Sequence, residues 1–181
     1  MEQLIEYLKG NPNVVIAFAA ICALLTSFVS IILTLFTLFI QRRHNYKSLT
    51  PIASIPVSDY ENKLEVKVGN TGVGPLIVNN FKAFNKEDCK GNIISFMPNS
   101  PPSIFWETFY EDLDGLCIPQ NQSVSLIKLS GDFDDKEFVK FRDEVRKALS
   151  DLSIKVTYKD VYGRDMPAKE RDLSWFGRQL D

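Results

Sequence analysis

The sequence predicts a mainly β protein that is attached to a membrane helix. Three observations lead to this fold class: an uninterrupted apolar run near the N-terminus, short segments of alternating apolar and polar residues after it, and turn residues between those segments. The expected architecture is an N-terminal transmembrane helix plus an antiparallel, immunoglobulin-like β-sandwich with one inserted helix; a small open β-barrel is the alternative. The expected division is a short extracytoplasmic N-terminus (1–12), a transmembrane helix (13–41), a juxtamembrane connector (42–50) and a cytosolic β-rich domain (51–181).

The anchor is predicted from residues 14–40, which contain no Asp, Glu, Lys or Arg. As a helix this run is about 40 Å long, against a hydrocarbon core of about 30 Å, so it spans a bilayer with tilt. A cleaved signal peptide fits less well, because the run is too long and the segment before it is not basic. Only Lys9 precedes the run, whereas Arg42, Arg43 and Lys47 follow it. The positive-inside rule therefore predicts a single-pass protein of the inner (plasma) membrane with a cytoplasmic C-terminal domain.

One stripe of the anchor carries small and hydroxyl-bearing residues at a spacing that alternates between three and four. Such a period is typical of the contact line between self-associating membrane helices. The alternative is that each hydroxyl bonds a carbonyl of its own helix, which requires no second helix. We expect a homo-oligomer, and a narrow pore is a weaker hypothesis. The stripe, called the seam below, consists of Ala20, Ala23, Ser27, Ser30, Thr34, Thr37 and Gln41.

The first half of the soluble part is typical of short strands and turns. Prolines extend residues 51–57 into an edge strand, and apolar residues alternate with charged ones in a half-buried strand at 64–68. Residues 70–75 predict a turn, and residues 76–84 the strand that returns from it. Residues 93–97 predict another short strand, and Ser103 caps a short helix through Tyr110.

The second half predicts the inserted helix and a final hairpin. Residues 118–123 form a loop before a strand at 124–129, and Asp134 or Asp135 is the expected N-cap of the helix. The predicted buried face of that helix is Phe138, Phe141, Val145, Ala148, Leu149 and Leu152. A strand at 154–158 follows, then a turn at 162–164, and residues 166–173 pair back along it.

Several functional classes are excluded by composition. The formal net charge of −2 argues against a protein that binds double-stranded nucleic acid through bulk positive charge. Cys22, Cys89 and Cys117 form no disulfide framework, and a single histidine cannot build a His-rich metal site. No cofactor and no metal are expected.

No catalytic constellation is visible in the sequence. The only histidine, His44, lies just past the apolar run, beside Arg42 and Arg43, where it is unsuited to act as a buried general base. Gly72 and Gly74 form a GxG pattern, but Pro75 and a strand follow instead of a helix. A tight turn explains these glycines, and we expect a protein that is not an enzyme.

Two short segments carry a resemblance to known proteins. Residues 68–75, VGNTGVGP, and residues 156–163, VTYKDVYG, resemble segments of bacterial single-pass inner-membrane proteins that have cytosolic β-sandwich domains. The overall plan is similar to that of membrane effectors of antiphage defence, including cyclic-nucleotide-gated effectors associated with type III CRISPR systems. The resemblance implies an effector role, and it transfers no functional residue.

Charge is unevenly distributed in the soluble part. Residues 103–135 contain seven acids and one base, whereas residues 155–178 contain six bases and four acids. These are either solvated faces or, in the basic hairpin, a site for an anion: a phosphate-bearing ligand such as a cyclic nucleotide, a lipid headgroup or a neighbouring subunit. The candidate ligand-binding residues are Lys159, Tyr162, Arg164, Lys169 and Arg171.

Two functional hypotheses follow from the sequence. In the first, the protein is a membrane-anchored sensor and effector, in which the cytosolic domain binds a ligand or protein and controls an oligomeric transmembrane segment. In the second, it is a passive anchor or adaptor that holds a partner at the membrane. The seam favours the first, because a passive anchor has no need of it.

Overall fold

The computed structural model describes residues 11–179 in two compact units that divide after Lys47. The first unit contains a single continuous helix, α1 (Pro12–Ser48). Its apolar side chains are exposed, and it is long and apolar enough to cross a membrane by length and composition. Most of the segment predicted as a connector, residues 42–50, is therefore helical. The predicted N-terminal segment lies almost entirely outside the described residues.

The second unit contains ten strands, one α-helix and two short 3₁₀ helices among the described residues. The strands are β1 (Ala53–Ser54), β2 (Val57–Tyr60), β3 (Lys63–Asn70), β4 (Leu76–Phe84), β5 (Cys89–Lys90), β6 (Trp106–Phe109), β7 (Cys117–Ile118), β8 (Ser123–Ser130), β9 (Ser153–Lys159) and β10 (Lys169–Asp172). Helix α2 is Lys136–Ser150, and the 3₁₀ helices are Ile94–Phe96 and Ser174–Gln179.

The strands form two antiparallel five-stranded sheets. The first sheet has the order β1-β3-β8-β6, with β2 also paired to β3. The second has the order β10-β9-β4-β5, with β7 also paired to β4. The apolar residues that alternate along β3, β8, β4 and β9 are buried in a single hydrophobic core. The prediction of an antiparallel, mainly β domain after an apolar helix is confirmed at this level.

Helix α2 begins and packs as the sequence predicts. The Asp135 side chain accepts a hydrogen bond from the Glu137 N–H and so caps the helix. Five of the six residues of the predicted face are fully buried, and Ala148 is half-buried. Two arginines of the helix are buried as well. Arg146 donates from Nε and Nη2 to Asp59 Oδ1 at 2.9 and 2.7 Å, which ties α2 to β2.

The outer face of the first sheet carries a buried carboxylate. Glu65 on β3 is only 3% exposed and forms ion pairs with Lys63 at 2.6 Å and Lys67 at 3.2 Å. The Ser125 hydroxyl also donates to it. Burial raises the pKa of Glu65, but these three partners outweigh burial and lower the pKa from 4.5 to about 2.

Three local predictions were wrong. Residues 93–97 contain a 3₁₀ turn instead of a strand, because the Asn92 side chain accepts the Ser95 N–H and closes the backbone. The segment 103–110 contains strand β6 instead of a helix, because pairing with β8 overrides the local helical signal. Strands β3 and β4 do not form a hairpin: they lie in different sheets, and residues 70–75 cross between them.

Candidate functional site

The chain enters the β domain through a segment that the domain holds tightly from its first residue. A Cβ added to Gly74 would lie 2.0 Å from the Leu49 carbonyl oxygen, and a Cβ added to Gly72 would lie 2.4 Å from the Ile52 nitrogen. Only glycine permits these approaches. The N–H of Thr71 donates to Ile52 O at 2.9 Å, and the N–H of Val73 donates to Thr50 O at 3.2 Å. The glycines of the GxG pattern therefore serve chain packing.

Asn70 organises this crossing. Its side chain is buried, and Oδ1 accepts the backbone N–H groups of Ile52 at 3.2 Å and Gly72 at 3.0 Å. Its Nδ2 donates to the carbonyls of Gly74 at 2.7 Å and Ile118 at 3.1 Å. The four hydrogen bonds of this buried amide join the entry segment, the crossing and β7. They provide partners for backbone groups that would otherwise be buried without any.

A second buried side chain, Asp160, holds the turn after β9. Its Oδ1 accepts the N–H groups of Tyr162 and Arg164, both at 2.9 Å, and its Oδ2 accepts from Arg164 Nε at 2.7 Å. Gly163 takes a positive φ of 77° that closes the turn. Burial raises the pKa of Asp160, but the backbone and side-chain donors of Arg164 and the Tyr162 N–H outweigh it and hold this pKa below its usual range.

These two motifs lie at the same end of the domain. Lys159, just before Asp160, is opposite Ile77 near the start of β4. The Ala53 N–H of the entry segment donates to the Tyr158 hydroxyl at 3.2 Å. The segments 68–75 and 156–163, which carry the resemblance described above, are therefore two parts of one structure around the chain entry. We call this structure the entry joint.

The five predicted ligand-binding residues lie in three places. Tyr162 and Arg164 are on the entry-joint turn, and the Arg164 guanidinium is paired with buried Asp160. Lys159 lies on the outer face of the second sheet, since alternate residues of β9 point inward. Lys169 and Arg171 share the inner face at the sheet edge and line a cleft of about 480 Å³ beside residues 52–56.

Arg171 has a structural contact in that cleft. Its Nη1 donates to the carbonyl oxygen of Ile55, which connects edge strand β10 of one sheet to the entry segment of the other. Both arginines of the predicted set therefore bind protein groups in the structure.

A different cleft on the outer face of the second sheet is lined by polar, basic and acidic side chains. It measures about 550 Å³, and the register places Asn80 opposite Thr157 and Lys82 opposite Lys155 on its floor. Half-buried Phe84 lies beside them. This cleft was not predicted from the sequence, because the residues of its floor come from strands β4 and β9, which are distant in sequence. The alternation along β4 and β9 was the available signal.

The seam residues lie on one side of continuous helix α1. Ser27, Ser30, Thr34 and Thr37 each donate to a carbonyl four residues earlier, at 2.8 Å. A hydroxyl oxygen that donates within its own helix still has lone pairs to accept a bond from another helix.

No family model, no curated protein and no solved structure matches this chain.

Proposed function

We propose that the protein is a single-pass membrane sensor and effector whose cytosolic β domain, on binding a ligand or partner, controls the association of its transmembrane helix. The observation that carries this proposal is the entry joint. Helix α1 ends at Ser48, and Leu49 is already packed against the backbone of Gly74. Leu49 is the next residue in the chain after Ser48, so the covalent connection is short, and a short connection suits the transfer of a conformational signal.

The seam supplies the element to be controlled. Small and hydroxyl side chains let membrane helices approach closely, and each contact contributes about 0.6 kcal/mol. Several such weak contacts set an association equilibrium that a domain at the end of the helix can shift. We take the two sheets as the layers of an immunoglobulin-like sandwich, because one core joins them.

For the ligand, the outer cleft of the second sheet supports a phosphate-bearing small molecule such as a nucleotide. Lys82, Lys86 and Lys155 supply positive charge, and Asn80 and Thr157 supply polar side chains. The lining also contains Glu87 and Asp88, and Lys155 lies 3.5 Å from Glu170, so a phosphate would have to compete with these carboxylates. Phe84 offers an apolar surface against which a base can pack. We expect binding without catalysis.

The first experiment tests the control of helix association. Full-length protein in which Cys89 and Cys117 are replaced by alanine is crosslinked in nanodiscs through Cys22. A variant of it with a Gly-Ser linker of about ten residues between Ser48 and Leu49 is compared with it. We expect ligand-dependent crosslinking that the linker abolishes. As a matched control, the same linker is placed after Gly91, whose surroundings are open. Equal crosslinking with and without ligand in the unmodified chain would contradict the effector function.

The seam is tested separately. Replacing Ser27, Ser30, Thr34 and Thr37 by leucine removes close approach while preserving insertion. Replacing four lipid-suited residues by other large apolar residues should have little effect; these are Phe28, Leu35, Phe36 and Phe39. If both variants crosslink alike, the stripe has no role in association.

The ligand site has its own test. Nucleotides, cyclic oligonucleotides and anionic lipids are screened by thermal shift against full-length protein. We expect Lys82→Gln with Lys155→Gln to abolish the response, and the same changes at Lys140 and Lys147 on helix α2 to preserve it. If no compound stabilises the protein, the passive anchor or adaptor becomes the better hypothesis.

A further inference from the structure

The end of the domain where the chain enters presents exposed apolar side chains beside the Asp160–Arg164 ion pair. Four of its side chains are exposed to solvent: Ile52 by 54%, Val73 by 56%, Val161 by 49% and Tyr162 by 46%. The turn segments that carry three of them, residues 71–75 and 161–163, contain no Asp, Glu, Lys or Arg. A group of exposed apolar and aromatic side chains at one end of a domain is typical of surfaces that contact a partner or a membrane.

The opposite end of the first sheet is acidic. The Gly131 N–H donates to Asn62 O at the far end of β3, which places the loop after β8 there. Exposed acids at this end are Glu61, Asp132, Asp134, Asp135 and Glu137. Strand β3, with its eight residues, separates the two ends by roughly 23 Å. The domain therefore has one apolar end and one acidic end.

The length of chain between the apolar run and the domain limits what the apolar end can reach. Residues 41–48 link Ile40 to Leu49, and eight helical residues rise roughly 12 Å. The headgroup region extends roughly 5 to 8 Å beyond the hydrocarbon core on each side. A tilted helix shortens the remaining gap, so side chains at the entry end are within reach of the headgroups.

We propose that the entry end of the β domain, through Val73, Val161 and Tyr162, contacts the interfacial region of the bilayer that holds the helix. Tyrosine is favoured at this depth because its ring is apolar and its hydroxyl is polar. The acidic end would then lie more than a Debye length, about 8 Å, from an anionic leaflet and would not be repelled by it. The inference rests on the membrane anchoring in the proposed function, and it adds a lipid contact to the entry joint.

Site-directed spin labelling of the full chain tests this contact. Cysteines at Val73 and Val161 are introduced, one at a time, after Cys22, Cys89 and Cys117 are replaced by alanine. Phe133 at the acidic end is the matched control, because it is also 56% exposed. A label at Leu33 reports whether the helix is inserted. The protein is reconstituted in nanodiscs of phosphatidylcholine and phosphatidylglycerol, and collisions of each label with oxygen and with a water-soluble nickel chelate are measured.

At positions 73 and 161 we expect a strong loss of collisions with the nickel chelate while oxygen collisions are kept, and at position 133 no such loss. A loss of both kinds of collision at 73 and 161 would indicate a protein interface and overturn the lipid contact. The lipid contact would also be overturned if labels at 73 and 161 collided with the nickel chelate as often as the label at 133. In that case a lipid-exposed label at 33 would show that the helix is nevertheless inserted. A water-exposed label at 33 would overturn the anchoring itself.

Discussion

The turn held by Asp160 decides whether the basic hairpin is structural or free to bind a ligand. Asp160 is fully buried and accepts three hydrogen bonds. Asp160→Ala removes the acceptor of two backbone N–H groups and leaves Arg164 unpaired, so we expect a loss of about 3 to 5 kcal/mol in the free energy of unfolding. Arg164→Ala keeps both backbone donors, and the Arg164 side chain is 44% exposed. We expect this change to cost only about 1 to 2 kcal/mol.

Urea denaturation of the full chain in mild detergent measures these losses. Both tryptophans, Trp106 and Trp175, are in the β domain, so their fluorescence reports the unfolding of that domain alone. With a slope of about 1.5 kcal/mol per molar urea, Arg164→Ala should lower the midpoint by about 1 M. Lys169→Ala is the matched control: it changes an exposed cation of the same hairpin, and its effect should stay within about 0.5 kcal/mol.

If Arg164→Ala and Lys169→Ala unfold at the same urea concentration, the ion pair with Asp160 contributes nothing. The guanidinium would then be available to a ligand, and the structural role assigned to it would be refuted. If Arg164→Ala is destabilising as expected, its effect on ligand binding must be separated from its effect on folding, for example by comparison with Arg164→Lys.

Three further predictions concern the interior and the entry joint. Arg146→Met leaves the Asp59 carboxylate buried, with Arg178 as its other cation at 3.4 Å, and should destabilise the domain by about 3 kcal/mol; a loss under 1 kcal/mol in urea would contradict this. Because the folded pKa of Glu65 is about 2 and its unfolded value is near 4.5, its contribution is present above pH 4.5 and lost as the pH falls toward 2. Glu65→Gln should remove up to about 3 kcal/mol at pH 7 and flatten the acid limb of a stability profile. Gly74→Ala should cost about 2 kcal/mol or more, whereas Gly91→Ala, with nothing within 4 Å, should be tolerated in the same thermal melt.

The elements with a strong local period were predictable from the sequence. Residues 76–84 were expected as a strand and form β4 with those bounds, and Asp135 was one of the two expected helix caps. Their signals are local, because strand alternation and capping depend on neighbours within a few residues. The sheet to which a strand belongs is not a local property. Asn70 bonds across the chain to Ile118, and nothing in the turn residues themselves distinguishes a hairpin from a crossing between sheets.

The candidate ligand residues were chosen by charge, and the charge of a residue does not show on which face of a sheet its side chain lies. Lys159 and Lys169 belong to paired strands, yet one lies on the outer face and the other shares the inner face with Arg171. The register that separates them is set by pairing across the hairpin. The entry-joint residues were overlooked for a related reason. A buried Asn or Asp in a turn motif resembles a surface turn until the segment that it holds is known.

The position of the entry joint explains why two segments far apart in the chain share one role. Asn70 and Asp160 each fix a turn by accepting backbone N–H groups. The Tyr158 hydroxyl connects strand β9, which leads into Asp160, to the entry segment. A domain that merely had to be held near a membrane could be attached by any flexible linker. Here Leu49, the first residue after the helix, packs so closely against Gly74 that no side chain fits at position 74. Buried polar groups form a network around this contact. Buried polar networks of this kind fix one geometry, because any displacement leaves a donor or acceptor without a partner. A fixed geometry of the residues that follow the helix is what the proposed effector function requires, and a passive anchor does not require it.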